Sequence, residues 1–138
     1  MRYKNLGLLI VLLFPIASMA QDMARHFKVF DVKNQKTTSI DAIVKEMNNA
    51  DVLFFGEEHN DSIGHYLESE IFRKMIIAYP GKIALTMEMF HTDVQPTINE
   101  YLMGIISEKN FIKEARAWNN YKDYKPMIEL AKANKLDV

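Results

Sequence analysis

The chain has 138 residues, with 17 Lys+Arg against 18 Asp+Glu, four histidines and no cysteine. Balanced charge without a basic cluster argues against a nucleic-acid surface. Lack of cysteine excludes disulfides, thiolate metal sites and a lipid-bearing cysteine, so the core alone must hold the fold.

Residues 1–20 read as a secretory signal peptide. Arg2 and Lys4 form a basic start, Leu6–Ile16 is almost wholly apolar, and Ser18-Met19-Ala20 places small residues ahead of a cleavage point before Gln21. An uncleaved N-terminal anchor is the alternative, although the run is short for a membrane span. Cleavage leaves 21–138, which loses two positive charges and keeps every acidic residue, so 15 Lys+Arg face 18 Asp+Glu and the net charge is -3. The expected destination is the periplasm or the exterior.

Phe27–Val32 alternates as a short strand, closed by a turn at Lys33-Asn34-Gln35. Ser39 is a helix N-cap, followed by Ile40, Ile43, Val44 and Met47 at helical spacing. Val52–Phe55 is a continuous apolar run, the pattern of a strand buried on both faces. A long helix is predicted from Asp61 or Ser62, with Ile63, Leu67, Ile71 and Met75 facing inward and Pro80-Gly81 stopping it. Lys82–Met87 is predicted as the next strand. Three helical stripes follow, the first on Ile98, Tyr101, Leu102 and Ile105, the second on Phe111, Ile112 and Ala115. Trp118, Tyr121, Met127, Ile128 and Ala131 make the third. This order predicts an α/β fold: a parallel sheet with flanking helices and a helical insertion. Lys135–Val138 resembles the start of a further strand, so the domain is expected to be incomplete.

Sites in open parallel sheets form beyond the carboxyl ends of strands. Glu57, Glu58 and His59 follow one such end, and Glu88 and His91 follow the next. Glu57, His59, Glu88 and His91 are therefore expected to converge on one crevice. Carboxylates with imidazole can bind a divalent metal, work as an acid–base pair, or meet a haem. Alternatively, Glu57 or Glu58 serves only to cap the following helix. His65, in the first turns of that helix, is expected to face solvent. Trp118 and Tyr121 are assigned to the core, and the Tyr124 hydroxyl, beside Pro126, is left free to face a pocket and to bind haem iron.

Four segments occur in order: LFFGEEHND, LTMEMF followed by Gln95, YLMG, and WNNYKDYKPMIELAK. Together they resemble the ChaN-like haem-binding uptake family, within a superfamily shared with the Tiki proteases and the erythromycin esterases. The resemblance runs from about Ser39 to Val138. It implies an α/β sheet with an elaborated helical part, making 21–138 the N-terminal portion of a ChaN-like domain. It also implies haem binding in iron uptake at the cell envelope, with haem held in a homodimer and outer-membrane or envelope uptake components as partners. His59, His91 and Tyr124 are the candidate haem contacts. In the hydrolase branches the residues matching Glu57 and His59 lie in the active site, with a glutamate like Glu88 near; these three are the catalytic or metal-binding set if the chain is a hydrolase. The chain departs from the family pattern in having no lipoprotein cysteine and in stopping before that pattern ends. A truncated, non-functional fragment is the third reading.

Overall fold

A computed structural model describes residues 26–138. The expected signal peptide and its expected cleavage point fall outside the described residues. Two short strands open the fold: β1 (Val29–Asp31) pairs antiparallel with β2 (Lys36–Thr38), Val29 opposite Thr38. The Asp31 carboxylate holds the predicted turn, accepting from the Asn34 backbone at 2.9 Å and the Asn34 side-chain amide at 2.6 Å.

The first helix, α1 (Ile40–Glu46), starts where Ser39 predicts, the Ser39 hydroxyl accepting from the Ala42 N–H at 3.2 Å. The long helix α2 (Ser62–Ala78) is capped by Asp61, whose carboxylate accepts from the Ile63 N–H at 2.9 Å. It stops before Pro80, and Gly81 reverses the chain at φ 68°. Buried Ile40 and Val44 of α1 meet Ile71 of α2 in a small apolar cluster. Tyr79 ties its edge, donating from its hydroxyl to the Val44 carbonyl at 2.9 Å.

Three further helices follow, α3 (Gln95–Leu102), α4 (Glu108–Glu114) and α5 (Tyr121–Asn134). They enclose the main core, where Phe111 and Ile128 are fully buried. Phe111 stacks on Tyr101 with centroids 4.4 Å apart and planes 6° from parallel. The predicted stripes supply this core, except that α3 ends before Ile105, which stays exposed beyond the turn at Gly104. Among the described residues, no helix is long and apolar enough to cross a membrane.

The expected parallel sheet is overturned. The described residues are mostly helical, and their only sheet is the β1–β2 antiparallel pair. Val52–Phe55 and Lys82–Met87 form no ladder, and α2 packs directly on α5 instead. The physical reason lies in pairing. A strand exists through hydrogen bonds to a neighbour, and an apolar run reports burial tendency without supplying that neighbour. Val52 and Phe54 are in fact exposed, Phe54 at 92%. The Leu85 N–H does donate to the Asp137 carbonyl at 3.0 Å, so the Lys135–Val138 end runs beside Lys82–Met87, but one bond makes no strand.

Candidate functional site

Where the Val52–Phe55 segment turns into α2, the cap is Asp61, and the carboxylates before it are released from that duty. Glu58 points to solvent. Glu57 turns inward. Its Oε1 accepts from the Tyr124 hydroxyl at 2.5 Å and from His59 Nδ1–H at 2.8 Å. The His59 ring stands half-exposed, edge-on to Trp118 with centroids 4.9 Å apart.

The first turns of α2 bring His65 beneath this pair. His65 is 6% exposed, in contrast to the expectation that it faces solvent, because this face of α2 packs on α5. Its ring lies 4.6 Å from that of Tyr124. Nε2–H donates to the His59 carbonyl at 3.1 Å, and the Asn120 amide donates to the same oxygen at 3.0 Å. The opposite nitrogen, Nδ1, faces two carboxylates: Glu57 Oε2 at 3.2 Å and Glu68 Oε2 at 3.4 Å.

The protonation preferences follow from these contacts. Burial works against the Glu57 charge, but the Tyr124 hydroxyl, His59 and His65 together hold its carboxyl below the usual range. Burial and the neighbouring Glu57 charge push Glu68 up, against the pull of His65. Burial also opposes a charged His65, yet the His59 carbonyl, Glu68 and Glu57 outweigh it and raise that imidazole. Tyr124 is raised well above an ordinary phenol by burial and by its bond to Glu57, so it keeps its proton.

A cavity of about 740 Å³ opens beside this cluster, between the Val52–Phe55 and Lys82–Met87 segments. That size falls within the usual range for small-molecule sites. Leu53, Phe55, Phe72, Ile83, Leu85 and Met87 give it apolar walls, while Glu57, Glu68 and Tyr124 supply polar groups. Exposed Lys82 and Glu88 also border it. A shallower depression of about 480 Å³ is lined by His59, Asn60 and residues 117–120, with Trp118 shared between the two.

Of the residues singled out from the sequence, Glu57, His59 and Tyr124 meet directly, and Glu88 lines the same cavity as Glu57. His91 does not join them. It is exposed, and its carbonyl accepts from the Val94 N–H at the start of a 3-10 turn. Tyr124 is 3% exposed, so it belongs to the core while its hydroxyl reaches the site. His65 and Glu68 were missed. Their three-residue spacing on one helix was the available signal, but it does not say which face is covered.

A family model described as haem-binding uptake, Tiki superfamily, ChaN matches residues 43–138, a span containing every residue of the cluster and of the cavity lining. No curated protein and no solved structure matches the chain.

Proposed function

We propose, for a chain that belongs to the haem-binding uptake family of the Tiki superfamily typified by ChaN, that haem is held in the cavity between Val52–Phe55 and Lys82–Met87. The observation that carries this reading is the cavity's make-up: apolar walls beside a buried phenol–carboxylate pair. A porphyrin is flat and apolar with an acidic edge. The walls suit its faces, and Lys82 at the border suits a propionate. Bound haem would supply an iron able to accept an oxygen or nitrogen donor from the protein.

Tyr124 is the donor we assign. Burial and the bond to Glu57 keep the proton on its hydroxyl, and Glu57 Oε1, 2.5 Å away, is the group that would hold that proton if the phenol oxygen served as a donor. His59 hydrogen-bonds the same carboxylate oxygen and borders the neighbouring depression, where it orients Glu57. On this reading the chain is exported by its N-terminal segment, works in haem or iron uptake, and meets envelope components or a second copy of itself.

Titrating the purified protein with haem tests the reading. A saturable Soret shift is expected, with loss of the tyrosine-to-iron charge-transfer bands in Tyr124→Phe and weakened binding in Glu57→Ala. A wild-type spectrum in Tyr124→Phe excludes the assigned ligand. Failure of the wild-type protein to saturate rejects the haem site.

A further inference from the structure

Beside the haem cavity, one arrangement is left without a purpose by the haem reading. Glu57 Oε1 is satisfied twice over, by Tyr124 and His59. Its other oxygen, Oε2, is buried and has no hydrogen-bond partner. It lies 3.2 Å from His65 Nδ1, within ion-pair distance but without hydrogen-bond geometry. A buried carboxylate oxygen left unpaired is costly, and such atoms mark places where something else binds.

His65 is set up to complement it. The His59 carbonyl can only accept, so His65 Nε2 must carry the proton of that 3.1 Å bond. In the neutral imidazole this leaves the Nδ1 lone pair facing outward from the ring. Here Nδ1 lies 3.4 Å from Glu68 Oε2, in hydrogen-bond geometry, and 3.2 Å from Glu57 Oε2, so the three atoms are held together by one positive occupant, a proton on Nδ1 or a cation in its place. Fixing one imidazole nitrogen through a carbonyl is the way proteins orient a metal-binding histidine. The Nδ1 atom, 94% of whose residue is removed from solvent, thus points into the cluster with both glutamates around it.

The spacing suits a small divalent ion. Bonds of about 2.0–2.1 Å meeting at a tetrahedral angle hold neighbouring donors roughly 3.3–3.4 Å apart. The two edges from His65 Nδ1 measure 3.2 Å to Glu57 and 3.4 Å to Glu68. All three donor atoms lie within 4.8 Å of one another. One imidazole and two carboxylates suit a first-row divalent ion of borderline hardness, such as Zn²⁺ or Mn²⁺, better than a soft thiolate-seeking ion.

The geometry points to a divalent-cation site formed by Glu57, His65 and Glu68 at the polar side of the same cavity, distinct from the Tyr124 ligand but joined to it through Glu57. The site does not depend on the haem reading. Its ion would hold Glu57 by Oε2 while Oε1 remains bonded to Tyr124, so occupancy would fix the position of the group that receives the tyrosine proton.

The test uses the full chain, stripped with a chelator and titrated with Zn²⁺ by calorimetry and with Co²⁺ by visible absorption. One equivalent of Zn²⁺ and new Co²⁺ ligand-field bands are expected. Glu68→Gln, which keeps the shape of the side chain, should weaken Zn²⁺ binding at least about tenfold, and His65→Ala should abolish the bands. Circular dichroism decides whether His65→Ala is folded, and Glu68→Gln carries the test if it is not. Glu58→Gln should bind as wild type. Absence of stoichiometric uptake overturns the site and leaves a proton on His65 as the sole occupant. Binding lost in Glu88→Gln but retained in Glu68→Gln also overturns it, in favour of a different carboxylate set. Haem titration of the same variants is read separately, so failure of one site is distinguishable from failure of the other.

Discussion

The Tyr124 hydroxyl donates to Glu57 Oε1 at 2.5 Å, joining the segment ahead of α2 to α5 across 67 positions of sequence. The bond is buried and charge-assisted. Bonds to charged groups contribute about 1.5–3 kcal/mol, and leaving the acceptor short of a partner adds to the loss. Tyr124→Phe is therefore expected to lower the urea midpoint by an amount equivalent to roughly 2 kcal/mol. A free hydroxyl facing an open pocket, as the sequence suggested, would give no change. Chemical denaturation of the apo protein separates the two outcomes.

The core residues rank by burial rather than by size. Phe111 is fully buried and contacts the rings of Tyr101, Phe90 and Tyr121. Phe111→Ala should cost about 3–5 kcal/mol. Trp118 precedes α5, is only partly buried, and packs by its edges on His59 and Tyr124. Its replacement by Ala should cost less, roughly 2 kcal/mol, while altering the site next to His59. Thermal melts of the two variants should show the Phe111→Ala protein as the less stable.

The helices were legible because their signals are local. Ser39 begins α1 and Asp61 begins α2 through bonds to N–H groups two or three residues away. Pro80-Gly81 stops α2 by backbone restriction alone. The sheet was not legible, because pairing of Val52–Phe55 needs a partner that no local pattern provides. Glu57 could be picked out, since a charged group closing an apolar run is visible in one dimension. His65 could not. Its burial depends on how α2 lies against α5, and three-residue spacing to Glu68 fits an exposed face equally well. His91 shows the converse error: its place after an apparent strand looked like a site position, and it became part of a surface turn.

Acid should weaken the Glu70–Arg73 pair along α2. Glu70 is held below the usual carboxylate range, chiefly by its hydrogen bonds to Arg73, with burial opposing. Lys74 adds an ion pair of 2.6 Å to Asp41 on α1. A depressed folded pKa gives stability that is present above the ordinary carboxylate pKa and disappears as pH falls through the folded value. The groups are partly solvated, so the contribution stays below about 1 kcal/mol. Arg73→Gln should flatten the acid limb of the stability–pH curve while leaving stability near neutrality within that amount. An unchanged acid limb would place the acid sensitivity elsewhere.

The opening of α2 distinguishes a cap from a site within a few residues. Asp61 supplies the cap through its 2.9 Å bond to the Ile63 N–H, and the Asp61 carbonyl accepts from the His65 N–H at 3.1 Å. Asp61→Ala should therefore cost about 1 kcal/mol, the usual value for a lost N-cap. Glu58 is exposed, and its carbonyl rather than its side chain bonds the Asp61 N–H. Glu58→Ala should leave stability unchanged within about 0.5 kcal/mol. Glu57 differs from both. Its carboxylate serves Tyr124, His59 and His65 instead of the helix, so Glu57→Gln should alter ligand binding more than the helicity of α2. Far-ultraviolet circular dichroism with denaturation reads the cap, and haem titration reads the site. If Glu57→Gln reduced helicity as Asp61→Ala does and bound haem as wild type, Glu57 would be a capping residue and the cluster would lose its functional meaning.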